Sequence, residues 1–120
     1  MRDYKKLQVW EKSHHLTLEL YKELKNYPKE EIFGLTSQMK RSSSSIPTNI
    51  AEGAGRNTNK DFARFLSIAY GSTNELEYQI ILSIDLLFLE KSKGEYFLEK
   101  IQEIRKMLHG LILKINNPES

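Results

Sequence analysis

The sequence predicts an all-α fold, an antiparallel up-down-up-down four-helix bundle with a proline kink in its second helix. Three observations carry that prediction. Apolar residues recur at intervals of three and four along most of the chain, the period of a helix with one buried face. No segment alternates apolar and polar residues as a half-buried strand does. The breaks "NYPKEE", "EGAGRNTNKD" and "EKSKGEY" are short, and short connections make sequential helices antiparallel neighbours.

The first helix is expected over residues 4–26. Leu7, Trp10, His14, Thr17, Tyr21 and Leu24 form one stripe, with Val9, Leu16 and Leu20 in a second beside it. Pro28 disfavours helix at Tyr27 and suits the opening of the next one, where Glu30 and Glu31 meet the positive end of the helix dipole. The second helix is expected over 29–53. Leu35, Met39, Ser42, Ile46, Asn49 and Gly53 keep a 4-3-4-3-4 spacing through Pro47. Such phase reads as a continuous, kinked helix that lacks the bond to the Ser43 carbonyl. A break with Ser45 capping a short new helix is the alternative.

Gly53 and Gly55 suit the left-handed ending of that helix. Thr58 with Asp61 resembles a capping box for the third, which runs to about residue 89 through Phe62, Leu66, Ala69, Thr73, Leu76 and Ile80. "EKSKGEY" reads as the last connection. A heptad run, Phe97, Ile101, Ile104, Leu108, Leu111 and Ile115, marks the fourth helix. Helix three carries more apolar surface than one seam requires, which points to self-association unless its own bundle buries it on three sides.

With 120 residues the chain is expected to be a single domain, 1–120. It has no cysteine, which excludes disulfides, thiolate metal sites and thiol nucleophiles. The first residues lack the apolar core of a signal peptide, and no apolar run reaches membrane-spanning length. A cytoplasmic protein with no membrane contact is expected.

"RSSSSIPTNIAEGAGR", residues 41–56, is the unusual stretch. It lacks the Walker pattern, and its G-x-G follows no strand, so a phosphate loop is not supported. Close helix packing explains it better. Ser42, Ser45 and Asn49 share one face, and Ala63, Ser67, Gly71 and Asn74 form a matching slim stripe on helix three. Gly71 costs about 1 kcal/mol against alanine inside a helix, so close approach would give it a reason. Asn49, Glu52 and Glu75 would then lie in or near the seam, with Gln38 and Arg41 as partners in a structural polar network.

No catalytic constellation is complete. Glu11 and His14 form one Glu-x-x-His unit, but a di-iron bundle needs two with two further glutamates. His14, His15 and His109 have no zinc spacing. No enzyme activity, small-molecule substrate, metal or cofactor is expected. Charge offers a different lead. The formal net charge is +2, with Arg56, Lys60 and Arg64 at the turn between helices two and three and Lys40 further back. These are the candidate nucleic-acid-binding residues, by sequence-independent phosphate contact. An ordinary helix end whose cations pair with Asp61 is the plainer reading. Lys5, Lys6 and Lys12 lie beside Tyr4 and Trp10, although Trp10 also fits the core stripe.

Across residues 4–115 the chain closely resembles the bacterial four-helix-bundle family encoded by intervening sequences of 23S ribosomal RNA genes. The most specific parts are Gly34-Leu35-Thr36, Gln38, Arg41, Ser45-Ile46-Pro47, Asn49 to Gly53, and Gly71-Ser72 with Glu75. "SSS" at 42–44 is more polar than the alanine-rich form often found there. The resemblance implies antiparallel bundles that associate into homopentameric rings. It also implies kinship with the accessory variability protein of diversity-generating retroelements, which binds nucleic acid and a reverse transcriptase through a basic surface. The expectation is a non-enzymatic homo-oligomer, a pentamer by that resemblance, which binds RNA or DNA with RNA favoured. A protein-interaction scaffold is the alternative.

Overall fold

The computed structural model describes residues 2–117. A 3₁₀ turn, Tyr4–Lys6, precedes helix α1, Gln8–Leu24. A second 3₁₀ turn, Lys29–Glu31, leads to α2, Leu35–Ala54; α3, Asn59–Asp85, and α4, Lys91–Asn116, follow. No strand occurs among the described residues. The body measures 48 × 23 × 20 Å.

Cross-helix pairs give the topology. On α2 and α3, Ser42 meets Gln79 and Ser45 meets Ser72. On α1 and α4, Glu23 meets Lys93 and Lys12 meets Glu103. Thr17 meets Ser43 between α1 and α2, and Arg105 meets Glu77 between α3 and α4. Numbers rise on one partner as they fall on the other, so neighbours are antiparallel around a closed square. The apolar stripes converge inside it. Leu16, Leu20, Met39, Ile46, Ile50, Leu66, Leu76, Ile80, Ile101 and Leu108 are all buried. Phe97, Ile101, Ile104 and Leu108 show that the α4 heptad marks its buried face.

Helix α2 continues through Pro47 without the break at Ser45. Proline has no N–H for the Ser43 carbonyl. Thr17 of α1 supplies the missing donor, its hydroxyl lying 3.0 Å from Ser43 O and 2.8 Å from Ser13 O. A hydroxyl on the neighbouring helix thus serves the freed carbonyl.

Several boundaries differ from expectation. Pro28 opens a 3₁₀ turn, and α2 starts only after Gly34, whose ψ of −117° departs from helix. Glu31 accepts a bond from Leu35 N–H at 3.1 Å in place of a cap residue. Neither Gly53 nor Gly55 is left-handed. Gly53 instead lets α3 approach: a Cβ there would lie 2.7 Å from Phe65 Cβ and 3.2 Å from Phe62 O. Gly71 is exposed, and a Cβ on it would meet nothing within 4 Å. Close approach therefore occurs at Gly53 and not at Gly71. Glu90 is the N-cap residue of α4 and the rest of "EKSKGEY" belongs to that helix, because Gly94 is buried against Ile84 and does not end a helix.

Thr58 caps α3, accepting from Asp61 N–H at 3.1 Å. The other end of α3 closes with Phe88 N–H donating to Ser83 O at 2.9 Å and Leu87 N–H to Ile84 O at 3.0 Å, a Schellman turn. Its left-handed position, φ 64°, holds Leu87, which is 89% exposed. A branched residue there costs roughly 1–2 kcal/mol, and Leu87 recovers little by burial. Leu87→Gly is expected to raise stability by about 0.5–1 kcal/mol after glycine's extra unfolded-state freedom is counted. Urea midpoints measure this; a lower midpoint would contradict it.

Candidate nucleic-acid interface

The turn from α2 to α3 gathers cations at one end of the bundle. Arg56 and Arg64 lie against the same ring, their guanidinium carbons 4.6 Å and 4.4 Å from the Phe65 centroid. They also share one carboxylate. Arg64 reaches Asp61 Oδ1 at 3.0 Å, and Arg56 lies 3.6 Å from Asp61 Oδ2 and 3.5 Å from Glu52 Oε1. Lys60 is exposed on the first turn of α3, with no ion pair among the described residues.

Arg2 joins them. It donates to Arg56 O at 2.9 Å and to the Asn59 side chain, and its guanidinium sits 4.5 Å from the Phe62 centroid. Periodicity could not find Arg2, which precedes the first helix and reaches the turn only through tertiary folding. Four cations face two carboxylates here. Exposed pairs of this kind contribute at most about 1 kcal/mol each, so their main effect is to hold the cations in place. Arg56, Lys60 and Arg64, with Asp61 among them, line an open concavity of about 740 Å³ together with Gly55, Asn57 and Thr58.

Lys40 is not part of this cluster. Fourteen residues of α2 separate it from the helix end at Ala54, about 21 Å along the axis, and Arg56 lies beyond that. Its ammonium stands 5.3 Å from the Tyr21 centroid, between α1 and α2.

The sequence-derived polar group also divides. Asn49 is half-buried and donates to Ser45 O at 2.8 Å and Ser45 Oγ at 2.9 Å. Gln38, Arg41, Glu52 and Glu75 are exposed. Helix geometry points their side chains outward, so they do not form the network within the seam. Ser42 donates to Gln79 at 2.5 Å, and the Ser45 and Ser72 hydroxyls pair at 2.9 Å. On α3 the facing row is therefore Phe65, Ser72 and Gln79, with Ser72 about 100° around the helix from Gly71. Their seven-residue spacing was the available signal.

The cleft between α1 and α4 has a different character. Glu11, Glu19 and Glu103 line it together with Lys12 and Lys100. Lys12 pairs with Glu103 at 2.6 Å and holds that carboxyl below its ordinary range. The Tyr96 hydroxyl donates to Glu19 at 2.8 Å, and this bond raises the phenol's pKa.

An antiparallel four-helix body with a basic end and an acid-lined cleft defines a helical-bundle protein with a candidate anion-binding face. The 23S rRNA-intervening sequence protein family model matches residues 5–110, and the chain belongs to that family. A similar solved structure is a protein of unknown function from the S23 ribosomal protein family of Bacteroides thetaiotaomicron. It is 30% identical with a TM-score of 0.81, over 87% of this chain and 94% of that one. No curated protein matches. No helix among the described residues is long and apolar enough to cross a membrane.

Proposed function

We propose that this protein is a non-enzymatic, cytoplasmic homo-oligomer, a pentameric ring on the family resemblance, that binds nucleic acid non-specifically and favours RNA. The observation that carries the reading is the end where Arg2, Arg56, Lys60 and Arg64 converge, with Glu52 and Asp61 as the acids paired to them among the described residues. A ring would repeat this end around its axis and join small patches into a basic rim. Self-association draws support from α3, where Ile68, Tyr78 and Ile81 are 42%, 62% and 43% exposed. Gly71 lies on the same helix with open space around it.

Reversing Lys60 and Arg64 together to glutamate is expected to lower RNA affinity about 10- to 100-fold at low salt. Fluorescence anisotropy with a labelled oligonucleotide measures it. Unchanged affinity would overturn the proposal. Light scattering tests assembly separately, and a 14.0 kDa particle at micromolar concentration would reject the ring.

A protein-interaction scaffold is the second reading, favoured by the opposite end of the bundle. Phe33 and Leu87 are 97% and 89% exposed there, beside Ile32 and Leu86. Retention of a protein partner from nuclease-treated lysate, with no RNA affinity in the purified protein, would select it.

A further inference from the structure

Helix α1 and the 3₁₀ turn before it carry a row of aromatic rings along the side where α1 meets α2. Tyr4 packs edge-on to Trp10 at 5.0 Å, and Trp10 stacks on His14 at 5.1 Å with only 9° between the planes. Tyr21 continues the row two turns on and is 39% exposed. Tyr4, Trp10 and His14 are each half-buried. The row borders the core without being sealed into it, and the buried face of α1 is Val9, Ser13, Leu16, Leu20 and Leu24. Trp10 to Tyr21 spans about 16 Å of helix.

Cations accompany the rings. Lys5 Nζ is 5.9 Å from the Tyr4 centroid and Lys40 Nζ 5.3 Å from that of Tyr21. Neither lysine has an ion pair among the described residues. Tyr21 opposite Lys40 and Thr17 opposite Ser43 set the register of α1 on α2. The α2 positions that follow in that register, Ser44, Pro47 and Ala51, carry no acid. Acids of α1 lie elsewhere, with Glu11 and Glu19 lining the cleft toward α4. Arg2 ties the start of the row to the basic turn through Arg56 O.

Unpaired cations interleaved with half-open rings form the arrangement that binds single-stranded nucleic acid, because phosphates meet the charges and unpaired bases stack on the rings. A duplex keeps its bases stacked inside and has none to offer. We infer that the α1–α2 face is a track for single-stranded nucleic acid, with bases stacking along Tyr4, Trp10, His14 and Tyr21 and the backbone following Lys5 and Lys40. The inference rests on the nucleic-acid reading above and adds the form of the ligand. It also gives Lys40 a role apart from the turn cluster.

Trp10 is the one tryptophan in the chain, so its emission reports on this face directly. The full-length protein is titrated at low salt with oligo(U), and with an RNA duplex of equal length. Oligo(U) is expected to quench Trp10 saturably, while the duplex binds without quenching. Tyr21→Ala and His14→Ala are expected to weaken oligo(U) binding about 5- to 100-fold each, on the scale of one lost base stack, and to leave duplex binding unchanged. Trp10→Phe keeps a stacking ring and should bind oligo(U) within about threefold of the parent, read by anisotropy. Thermal melts confirm that the variants fold.

Equal binding of both forms with unaltered Trp10 emission would overturn the track. So would full affinity in folded Tyr21→Ala and His14→Ala proteins. In either case, sensitivity to Lys60 and Arg64 reversal leaves the charge-based function standing. Absence of binding to both forms removes the two together.

Discussion

Gly53→Val is expected to destabilise the bundle by at least about 3 kcal/mol, and Gly53→Ala by about 1–3 kcal/mol. The atoms in the way explain the size. An added Cβ would stand 2.7 Å from Phe65 Cβ, 3.0 Å from Phe62 Cδ1 and 3.2 Å from Phe62 O. A backbone oxygen and a Cβ move only if α3 moves, and α3 is held by its packing on α2 and α4. Gly94 provides the contrast. Its added Cβ would fall 2.3 Å from Ile84 Cδ1 and 2.6 Å from Ile84 Cγ1, both atoms of one side chain that can turn about χ1 and χ2 without moving a backbone. Gly94→Ala should therefore cost less than Gly53→Ala. Urea unfolding of the three variants measures the order, and a Gly53→Val protein as stable as the parent would show that the helices do not meet there.

Thr17→Val is expected to cost about 1–3 kcal/mol, the range for leaving a buried carbonyl without its donor. Ser43 is fully buried, and Pro47 denies its carbonyl the usual bond from within α2. The test is a double-mutant cycle with Pro47→Ala, which restores an N–H at position 47. In that background the Thr17→Val loss should shrink by about 1 kcal/mol or more. Thr17 has one hydroxyl proton, shared between Ser13 O and Ser43 O, so the cycle reads the share that Ser43 O takes. Equal losses would mean that Thr17 acts by packing alone.

These two sites show what the sequence could and could not disclose. The phase of Leu35, Met39, Ser42 and Ile46 carried helix through Pro47 correctly, because burial of one face outweighs a single missing bond. The α4 heptad was legible for the same reason. The donor for Ser43 was not, since Thr17 lies 26 positions earlier and only the bundle brings it near. Gly71 had the composition of a close contact, yet a one-residue shift in the facing row turns it to solvent. Ser72 and Gln79 take the seam instead. Among the cations, Arg56, Lys60 and Arg64 were linked by short spacing along one turn. Lys40 is carried away by the rise of α2, and Arg2 arrives from a segment with no periodic signal.

The central claim is that the end formed by Arg2, Arg56, Lys60 and Arg64 holds nucleic-acid phosphates. Its most direct test is the dependence of RNA affinity on salt, plotted as log K against log salt concentration. For a single strand these four contacts contribute about −3 to the slope, Lys5 and Lys40 of the α1–α2 track add to it, and removing two of the four cations should make it shallower by about 1.5. No detectable binding at low salt, or a slope near zero, would contradict the account.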